Sequence, residues 1–323
     1  MIRYLIRRVL GSIPVLLGIS VISFAVIHLA PGKPVTIEQS LNPRVSQEVR
    51  LKLEKLYGLD RPLHVQYVNW MKTLLKLDFG RSFIDDRPVV DKIIERLPVT
   101  LTINLCALFL ILACGIPLGV TSALKQGTFF DRMTGIYVFV SFAVPTFWLA
   151  LLLMNLLGVQ LRWLPASGIK SLDFEYFTLW QQLVDYARHL LLPVCVSALA
   201  GIAGIARYMR ANMIQTLQQP YVQAARAKGL SEKRVLYKHA LRNAVLPIVT
   251  ILGLSIPGLL GGSVIFEQIF AIPGIGRLFF EAVMTRDYPL IMASVVLGAV
   301  LTMLGNLVAD ISYACVDPRI RYK

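Results

Sequence analysis

The stretch YVQAARAKGLSEKRVLYKHALRNAVLP, residues 221–247, is the most polar long run in the second half of the chain, and apolar segments flank it on both sides. Pro220 suits a helix start, because its fixed φ and missing N–H do no harm in a first turn. YVQAARAK then reads as a two-turn helix, which Gly229 can end by taking the left-handed conformation. Ser231 can cap a second helix, with Glu232 in its first turn, where the helix dipole favours negative charge. That helix is expected to run through KRVLYKHALRN into the next apolar segment. The result would be a stiff, basic helix–turn–helix elbow. Three roles are open to it: a solvated basic loop, a nucleic-acid binder, or a knob docked into a partner. Tethering between two apolar segments argues against nucleic acid. The small faces of Ala224 and Ala225 favour docking.

The flanking segments follow from composition. Of 323 residues, 56% are hydrophobic and 16% are charged, whereas a soluble domain carries roughly 25% charged residues. A bilayer core of about 30 Å takes roughly 20 apolar residues in a helix. Six segments meet this requirement, at about 9–30, 99–124, 133–157, 190–212, 243–266 and 289–314. The first is too long for a signal peptide and lacks an A-x-A cleavage site, so it reads as a retained span.

The net charge of +14 raises the question of where the charge lies relative to the spans. Arg3, Arg7 and Arg8 precede the first span, which predicts a cytoplasmic N-terminus. Six spans would return the C-terminus to the same side. The 208–242 connection and the tail are rich in Lys and Arg, while 158–189 and 267–288 are poor in them. Residues 31–98 form a long mixed-charge loop expected outside the cytoplasm. In it, one helix is expected from Ser46 to Tyr57 and a second after Pro62. The second would carry Val65, Val68, Met71, Leu74 and Leu75 on one face, packed on the span ends or touching substrate. The expected division is therefore 1–30 for the first span, 31–98 for the outer loop, 99–315 for the remaining spans with 221–247 as the elbow, and 316–323 for a cytoplasmic tail.

Several chemistries find no support. No span carries a charge near its middle, which weighs against a proton- or sodium-coupled carrier. An ATP-independent channel or carrier remains the alternative class. There is no phosphate-cradling G-x-x-x-x-G-K-[ST], since Gly32-Lys33 is followed by Pro34. No nucleophile–base set or metal-ligand spacing appears, so no catalytic, cofactor or metal residues are assigned. Cys106, Cys114, Cys195 and Cys315 are expected to be buried and reduced.

Helix breakers do stand inside spans: Pro117, Pro145, Pro193 and Pro257, the last followed by Gly258, Gly261 and Gly262. Lipid cannot replace the backbone bond that a proline removes. The SIPGLLGG run either lines or gates a pore or is a packing kink. Gly115 and Gly119 form a small-x-x-x-small pair, for close packing within the chain or for a dimer seam. Arg207 and Arg210, at the inner end of the fourth segment, either snorkel to lipid headgroups or touch a partner.

The elbow resembles the EAA loop of the permease subunits of bacterial ABC importers, in the version found in dipeptide, oligopeptide and nickel permeases. Other segments resemble the same family in order: RYLIRRVLGSIPVLLGISVISFAVIHLAPGKP, YGLDRPLHVQYVNWMKTLLKLDFGRSF, GIPLGVTSALKQGTFFDR, VIFEQIFAIPGIGRLFFEAVMTRDYPLI and VDPRIRYK. Glu267, Pro273, Gly274 and Gly276 fall where the family has them. Two departures are Gln223, at the eponymous glutamate position, and Lys33, where an acidic residue is common.

The resemblance implies an all-α membrane protein with the type I importer permease fold and six spans. It implies a docking elbow of Gln223, Ala224, Ala225, Arg226, Lys228, Gly229 and Leu230. It also implies a second homologous permease, two ABC ATPase subunits that bind the ATP and magnesium, an extracytoplasmic substrate-binding protein, and a multi-pass place among the lipids of the bacterial inner membrane. Peptides are the expected substrate, with nickel, glutathione or an oligosaccharide as alternatives.

Overall fold

In the computed structural model, residues 2–29 and 60–316 are described; the expected helix at 46–57 and nearly all of the 316–323 tail lie outside them. The described residues form helices joined by short turns, with one isolated bridge between Arg81 and Pro88. Leu10–Leu29, Val89–Leu124, Leu179–Leu217, Glu232–Gly253 and Tyr288–Val308 are each long and apolar enough to cross a membrane. A sixth candidate is the pair Phe129–Ala143 and Thr146–Gln160, bent by 96°. These match the six expected positions in order.

The limits differ where polar helix continues an apolar run. The second span begins at Val89 and carries Pro98 inside it, ten residues before the apolar core predicted its start. The fourth begins at Leu179, where Thr178 and Gln181 form a reciprocal capping box. The third breaks at Val144, which is extended (φ −88°, ψ 122°) as the residue before Pro145 prefers to be.

The second and fourth spans pack along Gly115 and Gly119. A Cβ on Gly119 would lie 2.5 Å from the Ala206 carbonyl and 2.7 Å from Met209 Cβ, and one on Gly115 would lie 3.0 Å from Ile205 Cβ. The small-residue pair is therefore used inside the chain. Cys106 and Cys114 are exposed on the second span and Cys195 is half-buried, which corrects the expectation of buried thiols. Lipid is as apolar a neighbour as a protein core, so an apolar span does not require burial within its own chain.

The outer helix is Leu63–Leu75, with Pro62 at its N-cap. Its expected apolar stripe is only half right, because Val68 and Leu75 are exposed. Tyr67 and Trp70 make the contact instead. The Tyr67 hydroxyl lies 2.9 Å from Ser20 Oγ on the first span, and its ring meets Phe24 edge-on at 5.3 Å. An aromatic body with a polar tip serves where an apolar face meets a serine. The turn at 82–83 is fastened to the last span by Asp287, which is buried and accepts from Ser82 Oγ and the Phe83 N–H.

Candidate functional site

The elbow forms as its punctuation predicts. Pro220–Ala227 is helical, Lys228 is its C-cap, and Gly229 turns left-handed at φ +73°. The Gly229 N–H donates to the Arg226 carbonyl (2.9 Å), and the Leu230 N–H donates to that of Ala225 (3.4 Å). Ser231 differs from expectation. It stands at the N-cap of the next turn, but its side chain makes no capping bond. Glu232 turns back to the Arg226 guanidinium (2.7 Å), so a solvated ion pair closes the elbow across Gly229. The following helix is α over Glu232–Arg234, π over Val235–Leu241 and α again over Arg242–Ala244, before Leu246–Gly261. Nothing in the sequence marks the π turn. Such turns are rare and recur at functional positions.

The elbow has two faces. Gln223, Ala224, Arg226, Lys228 and Gly229 are exposed, Leu230 is half-buried, and Ala225 points inward. Val222 and Ala225 are packed with Val235, Ala240 and Ala244 onto Met209 and Met213 of the fourth span, Ala123 of the second and Ile248 of the fifth. Asn243 Nδ2 donates to the Tyr221 hydroxyl (2.8 Å), tying the elbow's first turn to the helix that leads into the fifth span. The outer face is a small, basic, solvated surface on a rigid seat.

Arg207 is exposed, but Arg210 does not snorkel. Its Nε and Nη2 reach the two carboxylate oxygens of Asp131 at 2.6 and 2.8 Å. Asp131 is buried and also accepts from Ser122 Oγ and the Gly127 N–H. A carboxylate in the first turn of one span and an arginine near the end of another were both visible in sequence, but not that they meet.

The fifth span stays helical through Pro257 and breaks at Gly262, the last residue of the SIPGLLGG run, so the break ends the helix and does not divide it near its middle. Around Gly258 and Gly261 nothing lies within 4 Å of where a Cβ would stand, so that surface is open. Gly262 differs: at φ +67°, its Cβ would come 2.6 Å from Glu267 Oε1 and 2.9 Å from the Gly276 nitrogen. Its missing side chain thus makes room for Glu267, a packing role whatever else it does.

Two residues of the second span hold this break from either side, and neither stood out in sequence. Asn104 Nδ2 donates to the Leu259 carbonyl (2.8 Å) and, more weakly, to that of Gly258 (3.4 Å). These are last-turn carbonyls with no helical partner, and the apolar surroundings offer none. One turn earlier, Thr100 Oγ1 donates to Glu267 (3.0 Å) and accepts from the Ile275 N–H (2.9 Å). Asn104→Leu keeps the size and removes the donor. It is expected to destabilise the protein by about 1–3 kcal/mol, read as a lower thermal midpoint in detergent, with Asn104→Gln milder.

Glu267 is 4% exposed. Its Oε2 accepts from the Arg277 N–H (2.8 Å) and its Oε1 from Thr100. It therefore caps the N-terminus of the Ile275–Thr285 helix from outside that helix, where the dipole favours an anion. Burial holds the carboxyl pKa above its ordinary value, and the Arg277 N–H and Thr100 hydroxyl offset only part of that rise. Both oxygens accept, which suits the ionised form.

The model of the binding-protein-dependent transport system inner membrane component matches residues 115–322, and that of the N-terminal region of such components matches residues 1–104. The oligopeptide transport system permease protein AppB of Bacillus subtilis (strain 168) is 46% identical over 323 residues, covering 100% of both chains. The dipeptide transport system permease protein DppB of Alkalihalophilus pseudofirmus is 35% identical, again over 100% of both. The glutathione transport system permease protein GsiC of Salmonella typhimurium is 37% identical with the same coverage. A helical chain with six candidate spans, matched end to end in this way, belongs to the family of inner membrane components of binding-protein-dependent transport systems.

Proposed function

We propose that this chain forms one half of the translocation pathway of an ATP-driven peptide importer, and that an ATPase drives it through the elbow. The observation that carries the reading is the two-faced elbow: Gln223, Ala224, Arg226, Lys228 and Gly229 outward, and Val222 and Ala225 fused to three spans. A docking knob needs an accessible tip and a stiff seat, and this segment has both.

The termini and elbow then face the cytoplasm, and the 31–98 loop lies outside. A second homologous permease completes the pathway. Two ATPase subunits hold ATP and magnesium, and an extracytoplasmic binding protein delivers the peptide. The chain itself is a transporter subunit that binds no nucleotide. Pro257, Gly258, Gly261 and Gly262 form a gate at the end of the fifth span, where the surface at Gly258 and Gly261 is open.

Peptide cargo is supported by the oligopeptide and dipeptide permeases among the relatives; a glutathione permease among them makes that tripeptide the second reading. The test is uptake by the reconstituted complex, with labelled peptides of two to six residues competed by glutathione, nickel or an oligosaccharide. Peptide-driven uptake that only peptides compete supports the proposal. Uptake driven by nickel or sugar and indifferent to peptides would contradict it.

A further inference from the structure

A push on the elbow has to reach every span that moves. The apolar cluster under the elbow joins the second, fourth and fifth spans through Ala123, Met209, Met213 and Ile248. Among the described residues, none from the third span, 129–160, belongs to it. Among the described residues the third span is the one bent sharply in two, by 96°, so its elbow-side half, Phe129–Ala143, is a separate helix from the far half. What holds the foot of that half is Asp131. Its carboxylate takes both nitrogens of the Arg210 fork, the Ser122 hydroxyl from the end of the second span, and the Gly127 N–H from the intervening turn. Arg210 adjoins Met209 and stands one turn before Met213, and both methionines are fully buried under the elbow. A second tie lies higher up, where the Tyr137 hydroxyl donates to the Leu199 carbonyl (2.8 Å), again on the fourth span.

We infer that Asp131 and Arg210 are a positioning pair that carries the elbow's displacement to the inner half of the third span. A bidentate, charge-assisted pair is stronger than a single neutral bond and fixes orientation as well as separation. The inference rests on the elbow being the point where the ATPase pushes. It adds that the third span moves as one body with the fourth, and that this pair is the link.

The test uses the full reconstituted complex in liposomes and reads peptide taken up per ATP hydrolysed. Asp131→Asn keeps the shape and removes the charge; Arg210→Lys keeps the charge and removes the fork. Asp131→Asn is expected to lower the ratio by about tenfold, a typical size for a coupling effect between distant sites, with Arg210→Lys between it and the parent. A purely structural pair would lower yield or melting temperature and leave the ratio unchanged, and that result overturns the inference. A second measurement needs no disruptive variant. Spin labels at the exposed positions Phe139 and Tyr208 report the distance between the two spans, and it should not change on adding ATP. A shift of several ångströms between them overturns the inference. Gly229→Val in the same assay separates the two failures. If it leaves coupling intact, the elbow reading is wrong; if it uncouples and Asp131→Asn does not, only the link is wrong.

Discussion

Gly229→Val is expected to insert, fold and accumulate in the membrane, yet to lose about tenfold in peptide uptake per ATP hydrolysed. The reason is backbone strain alone. Nothing lies within 4 Å of where a Cβ on Gly229 would stand, so no clash occurs. At φ +73°, however, a β-branched residue costs about 1–3 kcal/mol. That is small beside a typical global stability of about 5–15 kcal/mol. It is large for a turn held by the Gly229–Arg226 backbone bond and a solvated Arg226–Glu232 pair, since such exposed pairs contribute about 0–1 kcal/mol. The turn therefore gives way and the outer face moves, while the spans stay packed. Gly229→Asn tolerates the left-handed region and should keep most of the coupling. Uptake per ATP hydrolysed, measured for glycine, asparagine and valine, should fall in that order.

Gly274→Val is expected to act on folding instead, at the opposite end of the fifth span. Its φ of −108° is ordinary, so here space and not strain is the issue. A Cβ at this position would lie 2.5 Å from both carboxylate oxygens of Glu267. The carboxylate must leave its donors on Thr100 and Arg277, and a buried polar group left without partners costs about 1–3 kcal/mol, more when charged. The expected result is a collapse in folded yield and a large drop in melting temperature in detergent. Glu267→Ala should also be harmful, because it uncaps the Ile275–Thr285 helix. The double variant should be no worse than Glu267→Ala alone, since the valine then has nothing to displace. Additive losses in that cycle would contradict the steric account.

These two sites also mark what one sequence can tell. Gly229 was readable because its cause is local: a proline, two helical turns and a glycine follow one another within ten residues. The spans were readable for the same reason, as runs of apolar residues of the right length. The Glu267 cradle was flagged only by its likeness to a family pattern, and its chemistry was hidden because Thr100 is 167 positions away. Asn104 and Leu259 are 155 apart, and Asp131 and Arg210 are 79 apart. Thr100, Asn104 and Asp131 belong to no local motif, and Arg210 read alone points to lipid headgroups or a partner, not to Asp131. The π turn at Val235–Leu241 left no mark, because its residues are ordinary helix formers whose register is set by packing on Met209 and Met213. The break in the fifth span falls inside the SIPGLLGG run, at its last residue and at the end of the helix, whereas the run alone suggests a break near mid-span. The helix accommodates Pro257 and ends at Gly262, where the neighbouring carboxylate leaves no room for a side chain.

The measurement closest to the central claim compares the purified chain alone with the full complex in sealed liposomes. Nucleotide hydrolysis and peptide accumulation against a gradient are read in parallel. The account predicts that the chain alone does neither, and that both appear when the second permease, the ATPases and the binding protein are added. Hydrolysis, or uphill uptake, by the chain without its ATPase partners would contradict it.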